Sequence, residues 1–522
     1  MKKYFPHLIF FTAFLGILDA GYLTMEHYKD MVPPCAVGGL FNDCGAVLRS
    51  EYATIIGIPL ALIGLVHYSI FAGGALAHLI TRSKLARYWL IVQSVLGLLA
   101  SAYFMYIQVF LIGALCLYCT LSAVISTILF ILVHYEFSRE RKILFLWLFG
   151  HMYRTIVKPF LFLFDAEKVH VTMIALGQRF GGNAIVRKVV RSLVSSKQPA
   201  LTQTIVGIPF HHPIGLAAGF DYEAMLTRSL DVWGFGWQTV GTITNGAYEG
   251  NMRPMLGRLP KSRALLVNKG FKNLGADATI MRLGKLKHHT HLQGVCNSIP
   301  YGISIGRTNS LELNTQKKSV EDIVFAFTKF EQSALPHSYY ELNISCPNLK
   351  GDVEFYTPAH LEELLIAVDE LSLRRPVFVK MPIEKPNSEV EAMLAVIAKY
   401  SPKGVIFGNL QKDRQNPCFD SAEIVSVGKG NFSGKPTYER SNELIRLAYR
   451  QYKDRFVIVG CGGIFSAEDA YTKIKLGASL LQLITGMIYQ GPQLVAQINM
   501  GLEELLKRDG YTHISEAIGA NS

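Results

Sequence analysis

The sequence predicts two folds in one chain of 522 residues: an all-α four-helix transmembrane bundle, then an α/β (β/α)8 barrel behind a helical membrane-docking extension. Three observations predict this. Four apolar stretches crowd the first part of the chain, and a mixed apolar and basic stretch follows. Eight short β-rich runs separated by helical patterns then fill the remainder. The divisions fall at 1–138, 139–205 and 206–522.

The apolar stretches run from about His7 to Met25, Ile55 to Ile80, Tyr88 to Ile112 and Tyr118 to Tyr135. Each is near the roughly 20 residues that span hydrocarbon. No small-residue cleavage site closes the first, so it reads as a retained span. Lys2 and Lys3, then Arg82, Lys84 and Arg87, then Arg139, Arg141 and Lys142 all fall on one side of a four-span arrangement. The positive-inside bias makes that side cytoplasmic. Cys35, Cys44, Cys116 and Cys119 then share the opposite, oxidising face, whereas Cys296, Cys346, Cys418 and Cys461 are scattered without pairing spacings. The formal charge of +12 suits a lipid bilayer surface or an anionic substrate. No basic run with interleaved aromatics points to nucleic acid.

From Ile143 to about Thr204, clusters such as LFLWLFG and PFLFLF alternate with Arg154, Lys158, Lys168 and Arg179. No window is apolar long enough to span, and amphipathic helices at the bilayer surface are expected. The β-rich runs are IGLAAGF (214–220), TVGTIT (239–244), YGISIG (301–306), YYELNIS (339–345), PVFVKM (376–381), KGVIFGN (403–409), VIVGCGG (457–463) and LLQLITG (480–486). Eight strands alternating with helices over about 300 residues fit a TIM barrel. A doubly wound sheet is the alternative, but eight repeats and the glycine-rich ends of the last two strands favour the barrel.

The pair in CLYC (Cys116 to Cys119) can be a redox dithiol, half of a zinc site, or apolar filler. At a helix start a thiolate is stabilised, and a second, more exposed pair, Cys35 and Cys44, can shuttle electrons to it. A zinc site is disfavoured by the eight-residue gap in that pair, and no metal is assigned. The run CGAVLRSEYATIIGIPLALIGLVHY (Cys44 to Tyr68), followed by CLYC, resembles the vitamin K epoxide reductase family over about residues 5 to 137. The resemblance implies a membrane bundle that oxidises partner thiols and reduces quinone. It makes Cys35 and Cys44 the loop shuttle, puts Cys116 and Cys119 beside the quinone, and sets Ser50 at a small polar position. A periplasmic thioredoxin-like protein is the expected thiol partner.

In barrels the working residues sit at the C-terminal ends of strands. LNISCPNLKG brings Asn343, Cys346 and Asn348 together there, and Lys380 ends the next run. A thiol beside a flavin can take a proton as hydride leaves, and a lysine can place charge near the reduced ring. A free thiol has a pKa of about 8.5, so base activity is expected to level off near there. Gly462 and Gly463, with Thr485 and Gly486, suit a phosphate.

The segments FDAEKVH, IGLAAGFD, EGNMRPMLGRLP, NISCPN, VKMP, FSGKP and VGCGGI resemble the quinone-dependent dihydroorotate dehydrogenase family from about Tyr153 to Ile518. The resemblance implies an FMN barrel whose helical extension docks on the membrane and admits quinone. Carried over by position, Ala218, Gly219, Tyr222, Thr242, Ser304, Asn343, Lys380, Gly408, Gly434, Gly462, Gly463, Thr485 and Gly486 hold FMN. Asn268, Gly270, Phe271, Asn343, Asn348 and Asn409 hold dihydroorotate, Cys346 is the base, and His170 and Arg258 face quinone. Several positions depart from the family pattern. Tyr222 replaces a lysine, Cys346 is the base of the soluble class, Ser304 replaces an asparagine, Gly408 a threonine and Ile484 a tyrosine. One residue is missing between Asn268 and Gly270.

The expected protein is a multi-pass inner-membrane oxidoreductase with its N-terminal cysteines in the periplasm and its barrel in the cytoplasm. The barrel oxidises dihydroorotate with quinone as acceptor, and the bundle oxidises thiols into the same quinone pool. One alternative is a flavin dehydrogenase of another substrate; a second is a non-catalytic barrel tethered as a scaffold.

Overall fold

The computed structural model describes residues 4–35, 43–293, 299–351 and 353–522, with 286–293 by backbone alone. Lys2, Lys3 and Cys296 lie outside the described residues. The chain divides into two compact units, Met1–Phe145 and Leu146–Ser522.

The first unit contains α1 (Phe5–Tyr28), the short α2 (Cys44–Leu48), the β1–β2 hairpin (Thr54–Ile55, Ile58–Pro59), α3 (Leu60–Thr81), α4 (Lys84–Tyr106) and α5 (Leu117–Glu136). α4 continues through a π turn at Ile107–Ile112. All four long helices are long and apolar enough to cross a membrane. On α1 the buried stripe is Ile9, Ala13, Gly16, Ala20 and Leu23, while Leu8, Phe11, Leu15 and Leu18 face outward. Such a run of exposed apolar side chains fits hydrocarbon rather than water. Small residues let the helices approach: a Cβ at Gly16 would lie 2.5 Å from the Tyr68 ring. The second span starts later than the apolar run suggests. Ile55 belongs to the hairpin, which turns at Ile56 and Gly57, both with positive φ, so the helix begins only after Pro59.

Four further helices follow: α6 (Ser138–Met152), α7 (Lys158–Phe162), α8 (Ala166–Gly182) and α9 (Ala184–Val194). They occupy the stretch expected to be amphipathic. A hairpin of β3 (Gln203–Ile205) and β4 (Ile208–Phe210) comes next.

The barrel is closed and wholly parallel. Its strands, in order of position around the ring, are β5 (Ile214–Leu216), β6 (Trp237–Ile243), β9 (Tyr301–Ile305), β10 (Tyr339–Asn343), β11 (Val377–Met381), β12 (Gly404–Phe407), β14 (Val457–Cys461) and β15 (Leu480–Leu483). All eight β-rich runs supply one strand each. Ile208 and Phe210 of the hairpin pack on Trp237, Tyr339, Phe378 and Leu480, which closes the floor at the strand starts. At the other end lies a three-stranded antiparallel sheet absent from the sequence expectation: β7 (Leu256–Leu259), β8 (Ala264–Val267) and β13 (Asn431–Gly434).

Candidate active sites in the barrel and the bundle

One cavity of about 560 Å³ runs from the strand ends of the barrel to helices α7 and α8. Its inner wall carries Ala218, Gly219, Thr242, Asn343, Lys380, Gly408 and Asn409, and its glycine-lined end carries Gly434, Gly462, Gly463, Thr485 and Gly486. Beyond Tyr222, Gly270 and Phe271 it opens between Tyr153, Leu161, Phe162, Met173 and Phe180, with His170 and Arg258 on the wall. A polar inner end and an apolar outer limb thus belong to one space.

Hydrogen bonds beneath the inner end hold it in shape. The Asn343 amide donates to Thr242 Oγ1 at 2.7 Å, and Thr242 meets Ser304 Oγ at 3.0 Å. Ser304 also donates to Glu341 at 3.1 Å, and Lys380 Nζ lies 3.5 Å from the same carboxylate. Glu341 and Lys380 are buried, so Lys380 is held by one long ion pair with donor capacity left toward the cavity. Asp221, fully buried, accepts the backbone N–H groups of Met225 and Leu226 and so fixes the turn that carries Tyr222. Gly408 has φ +135°, and any Cβ there would strike the carbonyl of Cys461, which accounts for glycine at this position. The FMN expected from the resemblance fits this wall: a buried ammonium, an amide and a threonine hydroxyl at one end, glycines with the Ser433 and Thr485 hydroxyls at the other.

Cys346 lines the cavity and also a side pocket of about 60 Å³ with Arg307 and Tyr356. Burial pushes its thiol up to about 12, against the pull of the Asn348 backbone N–H and of Lys380. The expectation of a plateau near the free-thiol value is therefore corrected upward.

Two assigned residues do not reach the cavity wall. Ser304 sits under Thr242. Asn268 turns into the loop, where its carbonyl oxygen accepts from Asn251 at 3.2 Å and its amide donates to the Met252 carbonyl at 3.3 Å. Lys269 faces the cavity instead. Its ammonium lies 3.1 Å from Glu167, 3.0 Å from His170 Nδ1, and 4.8 Å from the centre of the Tyr222 ring. His170 Nε2 meets the Phe220 carbonyl at 2.9 Å, so that nitrogen carries the proton and Nδ1 accepts from Lys269. Burial, then the Lys269 charge, lower His170 to about 4 and keep it neutral; burial lowers Lys269 to about 8, with Glu167 opposing. Sequence reasoning missed Lys269 and Glu167, although the missing residue beside Asn268 was the available signal.

In the bundle, Cys35 and Cys44 form a disulfide with Cα atoms 5.7 Å apart, and Cys116 and Cys119 are free thiols. The disulfide takes two of the thiols that a zinc site with four cysteine ligands needs. Cys44 is 1% exposed and clusters with Val47, Ala114 and Cys116, so the loop pair is not the open pair expected; Cys35 and Cys119 line the same cluster. Cys116 stands just before α5 with its N–H held by Gln108 at 3.1 Å, and Cys119 lies in the first turn. Hydrogen bonding from the Cys119 thiol lowers Cys116 below the ordinary thiol value, helped by the N–H groups of Tyr118 and Cys119 against burial.

Comparison with known proteins agrees with both geometries. Residues 200–506 match the family profile described as dihydroorotate dehydrogenase, and residues 7–134 match the vitamin K epoxide reductase family. Dihydroorotate dehydrogenase (quinone) of Nocardia farcinica is 34% identical over 376 residues, covering 71% of this chain and 97% of that protein. The protein of the same name from Deinococcus deserti is 34% identical over 383 residues, covering 71% of this chain and all of that one. Among solved structures, DHODH of Eimeria tenella in complex with ferulenol superposes with a TM-score of 0.61 at 26% identity, over 68% of this chain and 95% of that one. The chain belongs to the dihydroorotate dehydrogenase family. It is a fusion, with a vitamin K epoxide reductase family domain ahead of the barrel.

Proposed function

We propose that the barrel oxidises dihydroorotate to orotate through FMN and passes the electrons to quinone, and that the bundle oxidises partner thiols into the same quinone pool. The observation that carries the barrel reading is the single cavity with a polar inner end and an apolar outer limb. A small polar substrate and an apolar acceptor can each reach one end of it. Bound FMN supplies two-electron chemistry between these ends. Cys346 removes a proton from the substrate carbon, Asn343, Asn348 and Asn409 orient the pyrimidine, and Lys380 would place positive charge beside the bound flavin. The apolar limb excludes water and is fitted to a quinone, with His170 and Arg258 on its wall. The test is steady-state turnover of the full chain, with orotate formed only when quinone is supplied. Turnover of another substrate but not dihydroorotate would establish the alternative flavin dehydrogenase.

Dihydroorotate carries a carboxylate, and Tyr222 offers no charge where the family has a lysine. Lys269, over the Tyr222 ring, supplies the cation in its place. A hydrogen bond to a charged group contributes about 1.5–3 kcal/mol. Lys269→Met is therefore expected to weaken orotate binding by roughly 10- to 100-fold, read as a shifted titration of the flavin spectrum. Unchanged orotate affinity would remove Lys269 from the site.

In the bundle, the loop disulfide accepts electrons from a periplasmic thioredoxin-like dithiol and hands them to Cys116 and Cys119 beside quinone. The buried cluster that Cys44 shares with Cys116 supports that hand-over. The basic residues at 82–87 and 139–142 support an inner-membrane location with a cytoplasmic barrel. Thiol alkylation of intact cells is expected to label Cys119 from outside after reduction, and Cys346 only once the inner membrane is opened. The reverse pattern would invert the topology.

A further inference from the structure

Helix α1, one of the four membrane-crossing helices, carries a buried carboxylate. Asp19 lies on the buried stripe of α1 and is 8% exposed. Neither of its oxygens has a hydrogen-bond partner among the described residues. Its polar neighbours on the same helix behave differently: Thr12 and Thr24 each donate to a carbonyl one turn back, at 2.8 and 2.7 Å. A buried carboxylate without donors costs free energy and does no structural bonding. An ionisable group inside a membrane helix points first to proton or ion handling.

Contacts on either side of Asp19 fix what it faces. One turn before it, Gly16 receives the ring of Tyr68 from α3, and the Tyr68 hydroxyl lies 2.9 Å from both Ser122 Oγ and Ser126 Oγ of α5. One turn after it, Tyr22 packs on Tyr118 of α5 with ring centres 5.3 Å apart. Asp19 therefore lies between these two contacts on α1, as Cys119 lies between Tyr118 and Ser122 on α5. The carboxylate is within electrostatic reach of Tyr68, Cys116, Tyr118 and Cys119. His67, the remaining titratable side chain of this part of α3, turns to α4, where it meets Gln93 at 2.9 Å.

We infer that Asp19 is the proton carrier that couples oxidation of the Cys116–Cys119 dithiol to reduction of quinone. The inference rests on the thiol–quinone reading of the bundle. Forming the Cys116–Cys119 S–S bond breaks two S–H bonds and releases two electrons and two protons. The quinone takes up two electrons and two protons to become the quinol. Asp19 accepts a proton from a thiol as carboxylate, gives it to a quinone oxygen as acid, and repeats this for the second. Atoms and charge balance with no outside donor, and the carboxylate is regenerated.

The test uses the full chain in nanodiscs, with its inner pair reduced by dithiothreitol, the reductant removed and no dihydroorotate present. A short-chain benzoquinone is added, and thiols at Cys116 and Cys119 are counted by acid quench, alkylation and peptide mass. Asp19→Asn, nearly isosteric and without the buried charge, is expected to slow their oxidation at neutral pH by about 10² or more. Its rate should then climb about tenfold per pH unit, as hydroxide replaces the carboxylate. Asp19→Glu, which keeps the carboxylate one methylene further out, should lose rate but keep the wild-type pH profile. An Asn variant with the wild-type rate and profile overturns the proposal, as does a Glu variant with the hydroxide-like slope. A wild-type dithiol that quinone fails to oxidise overturns the underlying reading, and the proposal with it.

Discussion

Cys346→Ala should keep its FMN and lose flavin reduction by about 10² to 10⁴, the usual range for removing a general base. FMN is retained because Lys380, Thr242 and the glycine-lined end form its wall without the thiol. The pH dependence follows from burial. The thiol, pushed up to about 12, is protonated at neutral pH and acts as a base only in its deprotonated fraction. That fraction grows about tenfold per pH unit below the thiol value. Flavin reduction by dihydroorotate should therefore rise steadily from about pH 6 to 10 without levelling near 8.5, the free-thiol value. Cys346→Ser should retain measurable activity with its pH dependence displaced further upward. Rapid-mixing absorbance of the bound flavin reads all three proteins. A wild-type rate in the alanine variant would remove Cys346 from the base role.

Cys119→Ala should abolish thiol oxidation while leaving dihydroorotate turnover intact. With Cys119 gone, Cys116 cannot close its disulfide, so the shuttle pair cannot be emptied. Cys35 and Cys44 should therefore accumulate as the reduced dithiol, read by acid quench, alkylation and peptide mass after addition of a reduced dithiol partner. Loss of both activities together would mean that electrons cross between bundle and barrel rather than meeting only in the quinone pool.

The barrel was legible because each of its strands is a continuous apolar run with a helix behind it, from Ile214 to Leu483. The antiparallel sheet at its mouth was not. β7, β8 and β13 have four residues each, and β13 pairs Asn431 with Val267, far away in the chain. Segments so short carry no period of their own. The site shows the same division. Residues on strand ends, such as Asn343 and Lys380, stand where the alternation of an extended chain puts them. After β8, one residue fewer changes which side chain meets the cavity, bringing Lys269 in and turning Asn268 away. The gap was visible in the sequence; its consequence needed three dimensions. Glu167 reads as an ordinary acid in an amphipathic helix until Lys269 arrives from across the site. The burial of Cys44 likewise depends on α2 folding back onto Ala114 and Cys116, which spacing does not reveal.

The most direct test of the barrel reading is anaerobic double mixing of the full chain with FMN bound. Dihydroorotate should bleach the flavin, and a second mix with a benzoquinone should restore its colour, one quinol appearing for each orotate. A flavin that stays yellow with dihydroorotate, or that bleaches but is not recoloured by quinone, would contradict it.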